Sequence, residues 1–164
     1  MKHTHAQSGF TLVEMMIYGA ILMSFLAVLT ALFSSLIETQ LSSESHSSLA
    51  QDGRYVFSRL SYDMGRASGI TIPDTLASSS GVLQLTINGN SHTYAANNGN
   101  FEVTNALGTI RLNNVDTSVS NMTFQRLGTS GGKQSIKIDF TLTSLITRRQ
   151  GVENRSFSTT FALR

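Results

Sequence analysis

The chain of 164 residues contains no cysteine and a single proline, Pro73. With no cysteine there is no disulfide, so a head domain placed outside the cytoplasm would have to hold together by packing alone. Charge is scarce as well: 12 basic residues against 10 acidic ones leave +2, which points to no particular class of partner. The usual signatures of chemistry are also missing. There is no glycine-rich phosphate loop and no His/Cys/Asp cluster at metal-ligand spacing. Of the four histidines, His3 and His5 sit at the very start, while His46 and His92 are isolated. A catalytic triad would need one of them to meet a serine and an acid, and no motif points to that meeting. No catalytic residue, metal ligand or cofactor is assigned, and the chain is not expected to be an enzyme. The sequon Asn121-Met122-Thr123 is too short a pattern to carry weight.

What the chain does have is one long apolar run. Met15 to Ile37 is 23 residues without a charge. As a helix rising ~1.5 Å per residue it is long enough to cross a hydrocarbon core of ~30 Å. A secretory signal has an apolar core of only ~7–15 residues followed by a small-residue cleavage site, for which Ser34-Ser35 is a poor substitute. Lys2 precedes the run, whereas Ile37 to Gly53 holds Glu38, Glu44 and Asp52 and no Lys or Arg. That asymmetry predicts a cytoplasmic N-terminus with the rest of the chain outside. One acid, Glu14, stands at the start of the run. An acid at the bilayer centre costs ~2.5–3.5 kcal/mol and less near the edge, so its position calls for a function.

Gly9-Phe10-Thr11-Leu12-Val13-Glu14, with a short Lys-bearing leader before it and the apolar helix after it, resembles the class III signal of type IV pilins and type II secretion pseudopilins. The resemblance implies cleavage between Gly9 and Phe10 by a prepilin peptidase, followed by methylation of the new Phe10 amine. It implies that Glu14 attracts the Phe10 amine of a neighbouring subunit during assembly. Two opposite charges, each costly alone in a low dielectric, become favourable once paired. The implied partners are the peptidase, other pilins or pseudopilins in a filament, and an inner-membrane assembly platform. The implied location is the bacterial inner membrane, single-pass, and then a pilus or pseudopilus with the head periplasmic or extracellular. Gln51 to Ile70 adds a looser similarity, to minor pilins of the PilW type and pseudopilins of the J type.

Beyond the run the chain is expected to stay helical. Leu41, Leu49, Val56, Leu60, Met64 and Ala67 recur on one face, and Arg54, Arg59, Asp63 and Arg66 on the other. Arg59 and Asp63 read as an exposed i,i+4 pair worth a few tenths of a kcal/mol. Serines at Ser42 to Ser48 predict fraying or a bend, and Gly69 with Pro73 predicts the stop. Strands are then expected at Val82 to Ile87, Ser91 to Ala95, Phe101 to Val103, Thr109 to Leu112, Val119 to Arg126, Gln134 to Leu142 and Arg155 to Leu163. Asn88-Gly89 reads as a type I′ turn. Thr75 to Gly81 and Leu127 to Lys133 read as loops. The fold class is therefore α+β: a long N-terminal helix, transmembrane in its first half, packed on a small antiparallel β-sheet head in the pilin-like manner. The parts are a leader (1–9), a transmembrane or filament-core helix (10–37), an amphipathic helical half (38–69) and a β-rich head (70–164). Arg126, Lys133, Lys137, Arg148, Arg149, Arg155 and Arg164 form a weak basic bias near the end. A solvated face is the plainer reading of it; a ligand- or DNA-binding tip subunit is the alternative, with nucleic acid not the expected partner.

Overall fold

The computed structural model describes residues 9–163; the leader residues 1–8, with Lys2, His3 and His5, and Arg164 lie outside the described residues. The chain divides into two units, residues 1–40 and 41–164, and the α+β class expected from sequence is what it adopts. Among the described residues a single helix, α1 (Leu12–Arg66), is followed by nine strands.

The first unit is the apolar part of α1. None of its described residues is buried, and it is the one helix among the described residues long and apolar enough to cross a membrane. Four of its polar side chains are satisfied locally. The hydroxyls of Ser24, Thr30, Ser34 and Thr39 each donate at 2.9 Å to the carbonyl four residues earlier. Such local bonds leave little polar demand along a helix of this length and apolarity.

In the second unit, α1 continues without a break through Ser42–Ser48, where fraying or a bend was expected. Intrinsic propensity is overridden there by tertiary contacts. Ser45 is buried, Ser42 accepts a hydrogen bond from Arg148 at 3.1 Å, and His46 pairs with Glu153. The helix also stops earlier than Gly69. Ser68 is captured by the carbonyl of Thr86 through both its N–H (2.8 Å) and its hydroxyl (3.1 Å), which turns the chain out of the helix. Gly69–Ile72 then forms a strand, β1, rather than a terminating loop.

The remaining strands are β2 (Ser79–Ser80), β3 (Val82–Ile87), β4 (Asn90–Asn97), β5 (Asn100–Asn105), β6 (Gly108–Arg111), β7 (Thr117–Gly128), β8 (Gln134–Ser144) and β9 (Asn154–Ala162). They make two antiparallel sheets, of order β1-β3-β4-β5-β6 and β2-β7-β8-β9. Two Asn-Gly pairs close tight hairpins: Asn88 (φ 51°) with Gly89 (φ 78°), and Asn98 (φ 48°) with Gly99 (φ 79°). Positive φ at both central positions is the type I′ requirement, and its twist matches that of the strands. The serine-rich loop is not wholly a loop, since Ser79 and Ser80 pair with Gln125 and Phe124.

Alternation in β8 buries Ile136, Ile138, Phe140 and Leu142. On α1, Leu49, Val56, Leu60 and Met64 are buried with them, alongside Leu83, Leu85, Tyr94, Phe101 and Phe124 from the strands. Each such side chain contributes about 1.5–3 kcal/mol by leaving water. Phe57 sits edge-on to Phe140, Phe157 and Phe161 at centroid distances of 5.8, 5.8 and 6.1 Å. Phe140 and Phe157 stack at 5.2 Å. One turn earlier on α1, Gly53 lies directly under the Phe157 ring, and a Cβ there would overlap Cε1 and Cζ. Glycine is the residue that lets the helix come this close.

Candidate functional site

The three residues singled out by sequence lie at the start of α1. Gly9 and Phe10 precede the helix and are exposed, Phe10 at 70%. Thr11 accepts the backbone N–H of Glu14 at 3.2 Å. Thr11-x-x-Glu14 thus has the spacing of a capping box, with the threonine half of it formed. Glu14 therefore stands in the first turn, where the exposed N–H groups favour an anion. One of its oxygens accepts from the Tyr18 hydroxyl at 3.0 Å, and the Phe10 ring meets Tyr18 edge-on at 6.5 Å. Among the described residues Glu14 has no cationic partner. Helical spacing stacks Glu14 and Tyr18 on one face, next to Phe10. The result is an acid with a single neutral partner of its own, at the edge of an apolar helix whose surface is unburied.

The second unit contains buried polar groups that the sequence did not reveal. Asp63, placed by periodicity on the polar face, is buried, with 1% of its surface exposed. It accepts a hydrogen bond from the Tyr94 hydroxyl and pairs with Arg59 at 2.8 Å. Burial, and then the bond to Asp63, push the Tyr94 phenol well above its ordinary value near 10. Burial works against the Arg59 charge, but its hydrogen bonds to Tyr94 and Asp63 outweigh that and hold its pKa up. Asp52 is also buried. It accepts from the Asn114 N–H at 2.9 Å and from the Thr117 hydroxyl, tying α1 to the turn before β7. Asn113 completes that turn, accepting from the Phe101 N–H at 2.7 Å and donating to the Thr117 carbonyl at 2.7 Å. A signal for these two acids was present. Asp52 and Asp63 fall between Leu49, Val56, Leu60 and Met64 at helical spacing, on the face that is otherwise apolar.

The basic bias near the end of the chain is a solvated face only in part: Lys133, Arg149 and Arg155 are exposed and Arg164 lies outside the described residues, whereas others are tied into the fold. Arg148 is a nearly buried tie between Ser42 and Glu153. Arg126 donates to the carbonyls of Pro73 and Asp74 and to Gln134. Lys137 pairs with Asp139 at 3.0 Å, and a hydrogen bond from Ser158, then Lys137, holds the Asp139 carboxyl below the usual range. Arg155 lies over the Phe157 ring. Among the described residues no three His, Asp or Glu side chains gather where they could hold a metal ion. His46 is taken by Glu153, and His92 sits on β4 with a buried Nδ1 that makes no hydrogen bond.

Comparison with protein-family models, with curated proteins and with solved structures finds no match for this chain.

Proposed function

We propose that the chain is a prepilin-like structural subunit, a minor pilin or pseudopilin, rather than an enzyme. One observation carries the reading. The hexad Gly9-Phe10-Thr11-Leu12-Val13-Glu14 opens an unburied helix long and apolar enough to cross a membrane, and that helix continues into a folded β-rich head. A peptide bond that a peptidase must reach has to be accessible, and Gly9 and Phe10 are both exposed outside the helix. Cleavage there frees a Phe10 amine four residues before Glu14. In one chain the amine and the carboxylate leave the bilayer interior costly to enter; in a filament the amine of one subunit meets the carboxylate of the next and both costs fall. The apolar helix then has two successive partners, first lipid and then the helices of neighbouring subunits. The processed subunit is held in the inner membrane with its head outside until an assembly platform extracts it.

Intact mass and N-terminal sequencing of the membrane-extracted protein, with and without a prepilin peptidase, test this reading. A mature chain beginning at methylated Phe10 is the expected result. A chain that still begins at Met1 in the presence of active peptidase removes it. The alternative of a DNA-binding tip subunit draws little support from the basic residues, since Lys137 and Arg148 are already paired with Asp139 and Glu153.

A further inference from the structure

The second sheet ends in an edge that pairs with no further strand among the described residues. β9 pairs with β8 in unbroken register from Asn154 to Ala162 and with no other strand among the described residues. The bonds from Ser144 N–H to the Glu153 carbonyl and from Leu163 N–H to the Gln134 carbonyl fix the alternation of that ladder. The odd-numbered residues of β9 bond to β8. The N–H and C=O groups of Asn154, Ser156, Ser158, Thr160 and Ala162 point off the sheet. Natural edges of this length are usually blunted by proline, charged side chains, a bulge or an inward charge. β9 has one of these, Arg155 at its start, and no proline or bulge, so its far half from Ser156 to Ala162 carries no such protection.

The far half of this edge opens onto a cleft. Thr160 and Ala162 form one wall, and Ser61, Met64 and Gly65 of the last turns of α1 form another, around about 520 Å³. Lys133 borders it and also borders an adjoining cleft of about 630 Å³ that contains Arg126, Gln134 and Ile70. Among the described residues no Asp or Glu lines either cleft. Neither Lys133 nor Arg126 has a carboxylate partner among the described residues. The guanidinium of Arg126 contacts only neutral oxygens, and its buried Nε makes no hydrogen bond. A half-buried cation without a counter-charge is a cost that an incoming anion removes.

We infer that the β9 edge and the Arg126–Lys133 cleft together bind an extended acidic segment of another polypeptide, which adds to the sheet as a further strand. Main-chain bonds to the five outward residues supply the affinity, and carboxylates reaching Lys133 and Arg126 set the choice of partner. This inference rests on the head alone and is independent of how the N-terminus is processed.

The test uses the full chain in detergent micelles and a fluorescein-labelled peptide, DETVTVTVED, whose acidic ends serve either strand direction. Fluorescence anisotropy is expected to show saturable binding. A version N-methylated at alternate residues, and a version with lysines for its acids, are each expected to bind at least tenfold more weakly. Thr160→Pro removes one outward N–H that no ladder bond uses, and Lys133→Glu reverses an exposed charge. Each is expected to weaken the parent peptide at least tenfold, with thermal unfolding unchanged to within a few degrees. Absence of saturable binding, equal binding of the N-methylated peptide, or equal binding of the lysine peptide would overturn the inference. So would a stable dimer of the chain that excludes the peptide, because the edge would then belong to a second copy.

Discussion

Removing the Asp63 carboxylate should cost the head more than its place on an amphipathic helix suggests. In Asp63→Ala the Tyr94 hydroxyl, with no exposed surface, is left without its acceptor. Arg59, whose side chain is 29% exposed, can still turn to water. Stranding a buried hydroxyl and losing a charge-assisted hydrogen bond together cost about 3 kcal/mol. A head of this size is stable by roughly 5–15 kcal/mol, so that is a large share. With an unfolding entropy of ~2.1 cal/mol/K per residue over about 120 residues, the melting temperature should fall by about 10 °C. Tyr94→Phe removes the same bond but leaves Asp63 its arginine, and should cost about 2 kcal/mol. Because the two side chains serve each other, the double variant should be no less stable than Asp63→Ala alone, a coupling of about 2 kcal/mol. Thermal unfolding of the full chain in detergent, followed by near-ultraviolet circular dichroism, measures all three. Additive losses summing to about 5 kcal/mol, or a shift below ~3 °C for Asp63→Ala, would refute the claim that the pair acts as one buried unit.

The same tyrosine sets an alkaline limit. Its folded pKa lies above the unfolded value near 10, so its contribution is complete below pH ~10 and is lost as pH rises further. Urea midpoints should therefore fall above pH ~10 in the wild type and fall less in Tyr94→Phe. Gly53→Ala brings a helix-propensity gain of ~1 kcal/mol against an overpacking cost of ~1–3 kcal/mol from the Phe157 ring. Because Phe157 is stacked on Phe140, the cost should win, and Phe157→Leu should cancel it; a higher melting temperature for Gly53→Ala alone would show that the ring yields freely. Gly9→Val should block processing by the peptidase, whereas Glu14→Ala should be processed normally and fail to enter filaments, both read by immunoblot of membrane and sheared fractions. Normal assembly of Glu14→Ala would remove the charge-pairing step.

Local signals fixed much of this chain without help from tertiary structure. The apolar run needs only its length and lack of charge to be a membrane-length helix, because a helix satisfies its own backbone wherever it is placed. The hexad around Glu14 is likewise a matter of spacing along one chain. The Asn-Gly turns are legible because the positive φ they require is one that few other residues tolerate. Alternation in β8 shows which of its side chains face the core for the same local reason. Tertiary structure decided the rest. Ser42–Ser48 is helical because Arg148 and Glu153, about a hundred residues away, hold Ser42 and His46 in place. The helix stops at Arg66 because the Thr86 carbonyl takes Ser68. Spacing puts Asp52 and Asp63 on the apolar face of α1, but the hydroxyls of Thr117 and Tyr94 that donate to them there are supplied only by the fold. Arg126 and Arg148 look like a basic patch until their partners in other elements appear. Composition and periodicity report what a segment prefers when alone; they carry no record of which distant atom supplies a hydrogen bond, and a buried charge is stable only when that atom is there.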